Sequence, residues 1–360
     1  MLSPSKSLRV TFLGPLASFS HQQAVLNLFP TASSPSQSAN STTATTLLPK
    51  PSFADAFAAI QSNEADYAVI PFENSTNGSV VQTLDLLADR DGRYNDVVVC
   101  GEYYLTVHHC LLVRKEDATS DASHPERIYP RISKLYTHPQ AWGQCECFLS
   151  KHFHGVERQD APSTSKAASI VANTGCALRD VNGSGEGIQA AIASSFAATY
   201  HNLSILATNI EDRAGNTTRF LILRNINSEC TRSGEADFYP PTPSSASTAT
   251  PPKLKTLISF MIAHEIPGAL VDALTIFRRY GLNLTSIMPR PGQIRPWQYI
   301  FFVECERIRG VHEEDVVERT MRELDGKTSC CRDLGSWGDR LGDGKGEEEI
   351  GKGEGGIERE

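Results

Sequence analysis

The chain has 360 residues, 40% of them hydrophobic and 21% charged, which is long and apolar enough for more than one hydrophobic core. Its formal net charge is -8, but Gly338 to Glu360 holds eight acidic and four basic residues and so supplies half of it. The rest is nearly balanced and lacks the basic stripe that would track a phosphate backbone, so a nucleic-acid partner is not expected. No run reaches the roughly 18 apolar residues of a membrane span, and no apolar core of a signal peptide follows Met1 to Val10. A cytoplasmic protein with no membrane partner is the expectation. The nine cysteines show no paired CxxC spacing, and neither Cys145-x-Cys147 nor Cys330-Cys331 forms a zinc constellation with the histidines, so they read as reduced thiols and no metal site is predicted.

Leu8 to Leu13 reads as a strand and Ser20 to Phe29 as the helix after it. Ten of the twenty residues from Thr31 to Lys50 are Ser or Thr, a composition that buries too little apolar surface to offset backbone entropy, which predicts a low-complexity, disordered insertion over 31–50. Order resumes with a helix over Phe53 to Asn63, a strand over Ala65 to Pro71 and a helix from about Ser79 to Asp89. Short apolar runs follow at His109 to Arg114, Ile132 to Thr137, Gln189 to Ala193, Leu203 to Leu206 and Arg219 to Leu223. Helical patterns such as Gln140 to Lys151 and Lys166 to Asn173 alternate with them. This alternation predicts an α/β fold with a largely parallel, helix-covered sheet, and the mid-chain return of the pattern suggests two lobes with a cleft.

Pro, Ser and Thr dominate from Ser228 to Lys253, which marks a linker. Beyond it, strands over Leu254 to Ala263, Leu282 to Ile287, Tyr299 to Glu304 and Cys330 to Trp337 enclose helices over Gly268 to Tyr280 and Glu313 to Leu324. That β-α-β-β-α-β order is ferredoxin-like. The predicted organisation is therefore a catalytic domain over 7–227, a linker over 228–253, a second domain over 254–337 and a disordered tail over 338–360.

Asn216-Thr217-Thr218-Arg219-Phe220 runs into Leu221-Ile222-Leu223, which sets hydroxyls and one guanidinium at the mouth of a buried strand. Such a place suits chemistry on a small acid. Pro71-Phe72-Glu73-Asn74-Ser75-Thr76-Asn77-Gly78 and His138-Pro139-Gln140-Ala141 follow predicted strands and precede predicted helices, and Ser163-Thr164-Ser165 precedes the helical run Lys166 to Asn173. Helix starts present unpaired N–H groups and partial positive charge, so they receive carboxylates without a dense cluster of cations. Ser163, Thr164 and Ser165 could cap the following helix, contact a ligand, or both. His138 precedes Pro139, a favoured first helical residue, and could serve as a cap or reach a ligand. Glu73 and Asn74 lie where side chains leave the sheet. A carboxylate would repel an anionic ligand, so Glu73 is expected to receive loop amides while Asn74 is the closer polar contact.

These segments, with Gly14-Pro15-Leu16-Ala17-Ser18-Phe19-Ser20, occur in the order and rough spacing found in prephenate dehydratases, which the chain resembles across almost its whole length. The resemblance implies a two-lobed, periplasmic-binding-protein-like catalytic domain that converts prephenate to phenylpyruvate, CO2 and water in phenylalanine biosynthesis. It places the essential hydroxyl on the Thr directly before Arg-Phe, which is Thr218. It puts Arg219, His138 and Glu73 with it as catalytic residues and Asn74, Ser75, Ser163, Thr164, Ser165 and Phe220 at the substrate. Arg219 could clamp a substrate carboxylate or pair with Glu73. The substrate carries its own electron source and sink, so no cofactor is expected. Arogenate as substrate, or a small-acid binding protein without turnover, are the alternatives.

Glu265-Ile266-Pro267-Gly268-Ala269-Leu270-Val271 resembles the phenylalanine-binding segment of ACT domains. The second such segment usually reads Glu-Ser-Arg-Pro, and here Met288-Pro289-Arg290-Pro291 keeps only its second half. The resemblance implies an allosteric phenylalanine seat at Gly268, Ala269, Leu270 and Arg290, in a homodimer or homotetramer. An ACT domain used only for dimerisation is the other reading.

Overall fold

The computed structural model describes residues 8–21, 45–118, 124–174, 187–228, 253–263, 265–308 and 315–341. In chain order, β1 (Leu8–Leu13), β2 (Thr45–Lys50), α1 (Phe53–Gln61), β3 (Tyr67–Asn74), the two-residue β4 (Gly78–Ser79), α2 (Val81–Ala88) and β5 (Val97–Thr106) come first. Then follow β6 (Cys110–Arg114), β7 (Ile132–Thr137), α3 (Pro139–Gln144), α4 (Glu146–His152), β8 (Glu157–Asp160), α5 (Thr164–Asn173), β9 (Ile188–Ala193), α6 (Ser195–Tyr200), β10 (Leu203–Ala207) and β11 (Thr217–Asn225). The last group is β12 (Lys253–Met261), α7 (Ala269–Arg279), β13 (Asn283–Pro291), β14 (Tyr299–Ile308), α8 (Val316–Asp325) and β15 (Cys330–Gly338). Two compact units result, one of residues 1–83 and 106–218, the other of 84–105 and 219–360.

In the first unit, β1 pairs in parallel with β2 on one side and β3 on the other, and β4 folds back antiparallel on β3. A second sheet has the order β10-β6-β9-β7-β8. Strand alternation divides its side chains between two cores. Leu111, Val113, Ala190 and Ile192 join Leu149 and Phe153 from the α4 side. Cys110, Leu112, Ala191 and Ala193 join Ala167, Ala168 and Val171 of α5 and Ala197 of α6. A strand buried on both faces cannot alternate polar and apolar residues, which is why these strands read in the sequence as short continuous apolar runs. The sheet is mixed, because β6 runs antiparallel to both β9 and β10 while β7 runs parallel to β8 and β9. The largely parallel sheet expected from the alternation is corrected at these two pairings.

The second unit contains a sheet of order β13-β14-β12-β15 whose neighbours are all antiparallel. Ala273, Ile276 and Phe277 of α7 and Val316, Val317 and Leu324 of α8 pack on Ile258, Phe260, Val303 and Cys305, which share one face of it. The opposite face is buried too: Leu257 and Phe302 are fully covered, and even Lys255 and Glu304 are at most 4% exposed. Residues 89–104 lie against it. Arg332 donates from Nη2 to the carbonyls of Tyr94, Asn95 and Val97, and a Cβ added at Gly335 would collide with the Val99 carbonyl oxygen.

Four expectations change. The division anticipated at the 228–253 linker does not separate the compact units, because 84–105 and the strand after Thr218 belong with the C-terminal sheet. Val97–Thr106 is a ten-residue strand that the pattern did not single out. The predicted disordered insertion ends early: β2 occupies its last six residues, where the Thr11 hydroxyl donates to the Leu48 carbonyl at 2.8 Å and Gly14 N–H to the Lys50 carbonyl at 2.8 Å. The tail boundary shifts as well, since β15 reaches Gly338 and Asp339 pairs with Lys255 at 2.9 Å. The rest of the 31–50 segment, the helix predicted over 20–29 beyond His21, residues 229–252 and residues 342–360 lie outside the described residues.

Replacing Thr45–Lys50 by a Gly/Ser stretch removes an edge strand and the anchor of Gly14. We expect thermal unfolding to drop by several degrees and turnover to fall, measured against a replacement confined to residues 31–44. Equal effects of the two replacements would show that β2 contributes nothing of its own.

Candidate active site

The end of β3 and the start of β11 form one hydrogen-bonded group. Asn74 is the last residue of β3, and the chain turns through Ser75, Thr76 and Asn77 to Gly78, whose φ of +76° suits glycine. The Asn74 Oδ1 accepts the backbone N–H of Thr76 at 3.0 Å and of Asn77 at 2.9 Å. With its oxygen so committed, the amide must direct Nδ2 the other way, and Nδ2 donates to Asn216 Oδ1 at 2.8 Å and to Thr218 Oγ1 at 3.0 Å. Ser75 fastens the same two segments: its N–H donates to the Thr217 carbonyl at 2.8 Å, and its Oγ accepts Thr217 N–H at 2.9 Å. The loop amides expected at Glu73 thus go to Asn74.

The two threonines differ in what their hydroxyl protons do. Thr217 Oγ1 donates to the Gly215 carbonyl at 3.1 Å. Thr218 Oγ1 receives a proton from Asn74, and among the described residues nothing accepts its own. A hydroxyl held in place by an incoming hydrogen bond, with its donor unspent, can donate to a ligand. Phe220, two residues on and fully buried, is part of the core. Arg219 leaves the opposite face of the strand from Thr218. Its guanidinium is held by Glu102, with Nε at 2.9 Å, and by Glu304. Burial alone would lower the Arg219 pKa, but the two carboxylates overcome that and raise it, so the group stays cationic. Glu102 and Glu304 were not picked out from the sequence. The signal available was a charged residue inside an otherwise apolar strand, Val97-Val98-Val99-Cys100-Gly101-Glu102 in one case and Phe301-Phe302-Val303-Glu304 in the other.

His138, Ser163, Thr164 and Ser165 lie in the same unit at the helix starts that follow β7 and β8, and none of them is hydrogen-bonded to the Asn74–Thr218 group among the described residues. His138 is the N-cap of α3: its Nδ1 accepts Gln140 N–H at 3.3 Å, which leaves the proton on Nε2. Burial lowers its pKa against the pull of Asp160, so it is a neutral donor at physiological pH. Ser163 caps α5 by accepting Lys166 N–H at 3.0 Å. Ser165 Oγ donates to the Leu16 carbonyl at 2.8 Å and so ties α5 to the Gly14 loop. The Thr164 hydroxyl has no partner among the described residues. In the second unit, Gly268 precedes α7 with φ +84°, Ala269 is buried and Leu270 packs against the helix-covered core. Arg290 makes a two-pronged pair with Asp85, at 3.0 and 2.9 Å, and with Arg90 holds that carboxylate below its usual pKa despite partial burial. Among the described residues, no cluster of three His, Cys, Asp or Glu side chains is placed to hold a metal ion, and no helix is long and apolar enough to cross a membrane.

Comparisons with known proteins agree on the family. The family model described as prephenate dehydratase matches residues 10–228. A bifunctional chorismate mutase/prephenate dehydratase of Aquifex aeolicus is 34% identical over 336 residues, 93% of this chain and 75% of that protein. A probable prephenate dehydratase of Saccharomyces cerevisiae is 32% identical over 326 residues, 83% of this chain and 87% of that one. Among solved structures, a prephenate dehydratase from Arthrobacter aurescens in complex with L-Phe matches with a TM-score of 0.67 at 23% identity, over 92% of this chain and 90% of that chain. At that identity the structural likeness speaks for the fold.

The histidines of the first unit generate a prediction about pH. His21, His109, His138 and His201 all have pKa values lowered from the usual 6.5 by burial. His109 is 2% exposed, its Nε2 meets Gln144 Oε1 at 2.8 Å, and its buried Nδ1 has no partner among the described residues to take up a second proton's hydrogen bond. Each folded-state value lies below the unfolded one, so the unfolded chain binds more protons in between, and stability rises with pH there. The melting temperature should hold above pH 6.5 and decline as pH falls through the lowered values, with a shallower decline in His109→Gln. A melting temperature that rises on acidification from pH 7 to 5 contradicts this account.

Proposed function

The chain belongs to the prephenate dehydratase family, and from that premise we propose that it expels CO2 and the ring hydroxyl of prephenate to give phenylpyruvate, with Thr218 as the donor to the leaving oxygen. Cleavage of the ring carbon–carboxylate bond supplies the electron pair that aromatises the ring and drives out hydroxide, which takes up a proton to leave as water. The barrier lies in charge developing on that oxygen. A positioned donor there typically contributes about 10²- to 10³-fold. The observation that carries the reading is the unspent Thr218 proton beside the spent Thr217 one. Asn74 serves as the group that aims it. The neutral His138 Nε2–H and the Thr164 hydroxyl at the start of α5 are assigned to the substrate carboxylates, with Ser163 and Ser165 holding the α5 start and its neighbouring loop.

For the C-terminal segment we infer a ferredoxin-like ACT domain that binds phenylalanine and slows the enzyme. Its element order and sheet order support the fold, and the relative from Arthrobacter aurescens is described in complex with L-Phe. The seat would be the Gly268–Leu270 helix start, completed by a second copy in a homodimer or homotetramer. Arg290, already paired with Asp85, would hold the seat's strand rather than the amino acid itself.

Thr218→Val should lower kcat about 10²- to 10³-fold with the fold retained, while Thr217→Val changes it less than about threefold; the reverse ranking would move the donor to Thr217. Asn74→Asp keeps the acceptor for the loop amides but presents a carboxylate to Thr218, which would capture the hydroxyl proton, so kcat should fall nearly as far as in Thr218→Val. Assays with prephenate and arogenate in parallel, detecting phenylpyruvate and phenylalanine, decide the substrate. Gly268→Val forces a β-branched residue to φ +84°, at a position where an added Cβ meets nothing within 4 Å. Its phenylalanine inhibition curve should move to at least about fivefold higher concentration, and an unmoved curve would place the effector elsewhere.

A further inference from the structure

Five charged side chains meet in the interior of the second unit. Arg219 Nη2 lies 2.8 Å from Glu102 Oε2 and also pairs with Glu304. Lys255 Nζ lies 3.0 Å from Glu102 Oε1, 2.9 Å from Asp339 Oδ1 and 4.0 Å from Glu304 Oε1. The Tyr104 hydroxyl accepts from Lys255 at 3.1 Å, its ring lies under both cations, and the Arg340 N–H donates to Glu102 at 3.0 Å. Arg219, Glu102, Glu304 and Lys255 are 8%, 0%, 3% and 4% exposed, so their attraction is little screened and their geometry is tightly fixed. Burial works against both cations, yet their carboxylate partners raise the pKa of each.

We propose that Glu304 and Lys255, from β14 and β12, are positioning residues for the dehydration step, acting through Arg219 to fix the start of β11 and with it the Thr218 hydroxyl. The inference rests on the reading of Thr218 as donor. Consecutive Cα atoms lie about 3.8 Å apart across a trans peptide, so the backbone of Thr218 cannot shift independently of Arg219. Strand alternation sends the two side chains to opposite faces, which leaves Thr218 free for the substrate while Arg219 is gripped from behind. Glu102 and Glu304 grip it from two different strands, and Lys255 holds both carboxylates in register with Asp339. Three of the five charges come from the C-terminal segment, so that segment completes the support of a residue in the reaction site. A misplacement of about 1 Å in a reacting group can cost about 100-fold in rate. Loss of one carboxylate from such a cluster should therefore appear in kcat.

A mere contribution to folding would also lower activity, and a double-mutant cycle separates the two. Glu304→Gln keeps shape and one acceptor oxygen but removes the charge. Thr218→Ser keeps the hydroxyl but lacks the methyl that restricts its rotamer, so its aim depends less on the backbone. Steady-state kinetics with prephenate would be run on the full chain, with the folded fraction followed by near-UV circular dichroism. Glu304→Gln should lower kcat about tenfold or more with KM changed less than about twofold, but lower it less than about threefold in the Thr218→Ser background. Equal fold losses in both backgrounds, an unchanged kcat, or a loss that merely follows the folded fraction overturns the proposal. Should Glu304→Gln fail to fold, Glu304→Asp, which keeps the charge and withdraws it by one methylene, is read by the same cycle and criteria. Near-wild-type turnover in Thr218→Val overturns the donor reading and this inference together, whereas an inactive Thr218→Val with an additive cycle overturns positioning alone.

Discussion

A guanidinium inside a protein has to be compensated, and much of the second unit follows from how Arg219 is. Its side chain is only 9% exposed, and an isolated ion there would cost several kcal/mol. Glu102 and Glu304 supply the opposite charge, but two carboxylates on one cation overcompensate it, and Lys255 restores the balance before Asp339 joins at the rim. Each partner comes from a different strand. Satisfying one charge therefore fixes β5, β11, β12, β14 and the end of β15 with respect to one another, and this is why residues 84–105 and 219–228 fall into one compact unit with the C-terminal sheet.

The first unit solves a different problem with neutral groups. A hydroxyl is a weak acid, so its usefulness depends on where its proton points, and Asn74 sets this without any charge that would repel a dianionic substrate. Every polar atom of its side chain is committed: the oxygen to two loop amides, the nitrogen to Asn216 and Thr218. An amide locked in this way cannot flip, so the Thr218 oxygen is held as an acceptor on one side and its proton is left for the other. Support from Asn74 and the grip on Arg219 act on neighbouring residues of one strand by independent means.

What the sequence made legible, and what it hid, follows from the range of each interaction. Ser163 as an N-cap, Pro139 at a helix start and the apolar spacing of α7 and α8 are local, and they were readable from a few neighbouring residues. The β-α-β-β-α-β order was readable for the same reason. β2 was hidden because Thr45-Thr46-Leu47-Leu48 follows a Ser/Thr-rich run, and a parallel edge strand gains its hydrogen bonds from β1, more than thirty residues earlier. The charge cluster was hidden because each member is a lone charge within an apolar strand whose partners lie far away in the chain. Lys255 gave the clearest clue, a single cation within Leu254 to Met261, but its partners are 153, 49 and 84 positions away in the chain. At Glu73 local logic chose the carboxylate for the loop amides, whereas the N–H groups of Thr76 and Asn77 donate to its neighbour Asn74.

The same cluster bears on how the C-terminal segment should be regarded. A polar linker suggests a module that could be cut away, leaving a catalytic domain that works alone. Ending the chain near Asn227 would remove Lys255, Glu304 and Asp339 together and leave Arg219 and Glu102 facing each other without their further partners. Breaking a buried ion network in this manner typically costs about 3–5 kcal/mol, against a total stability of about 5–15 kcal/mol for a domain. A truncated protein that lost activity would thus say little about effector control, because the strand that carries Thr218 would have lost its support. Substitutions that leave the cluster whole, at the α7 start for the effector and at single charges for positioning, keep regulation and structural integrity separable.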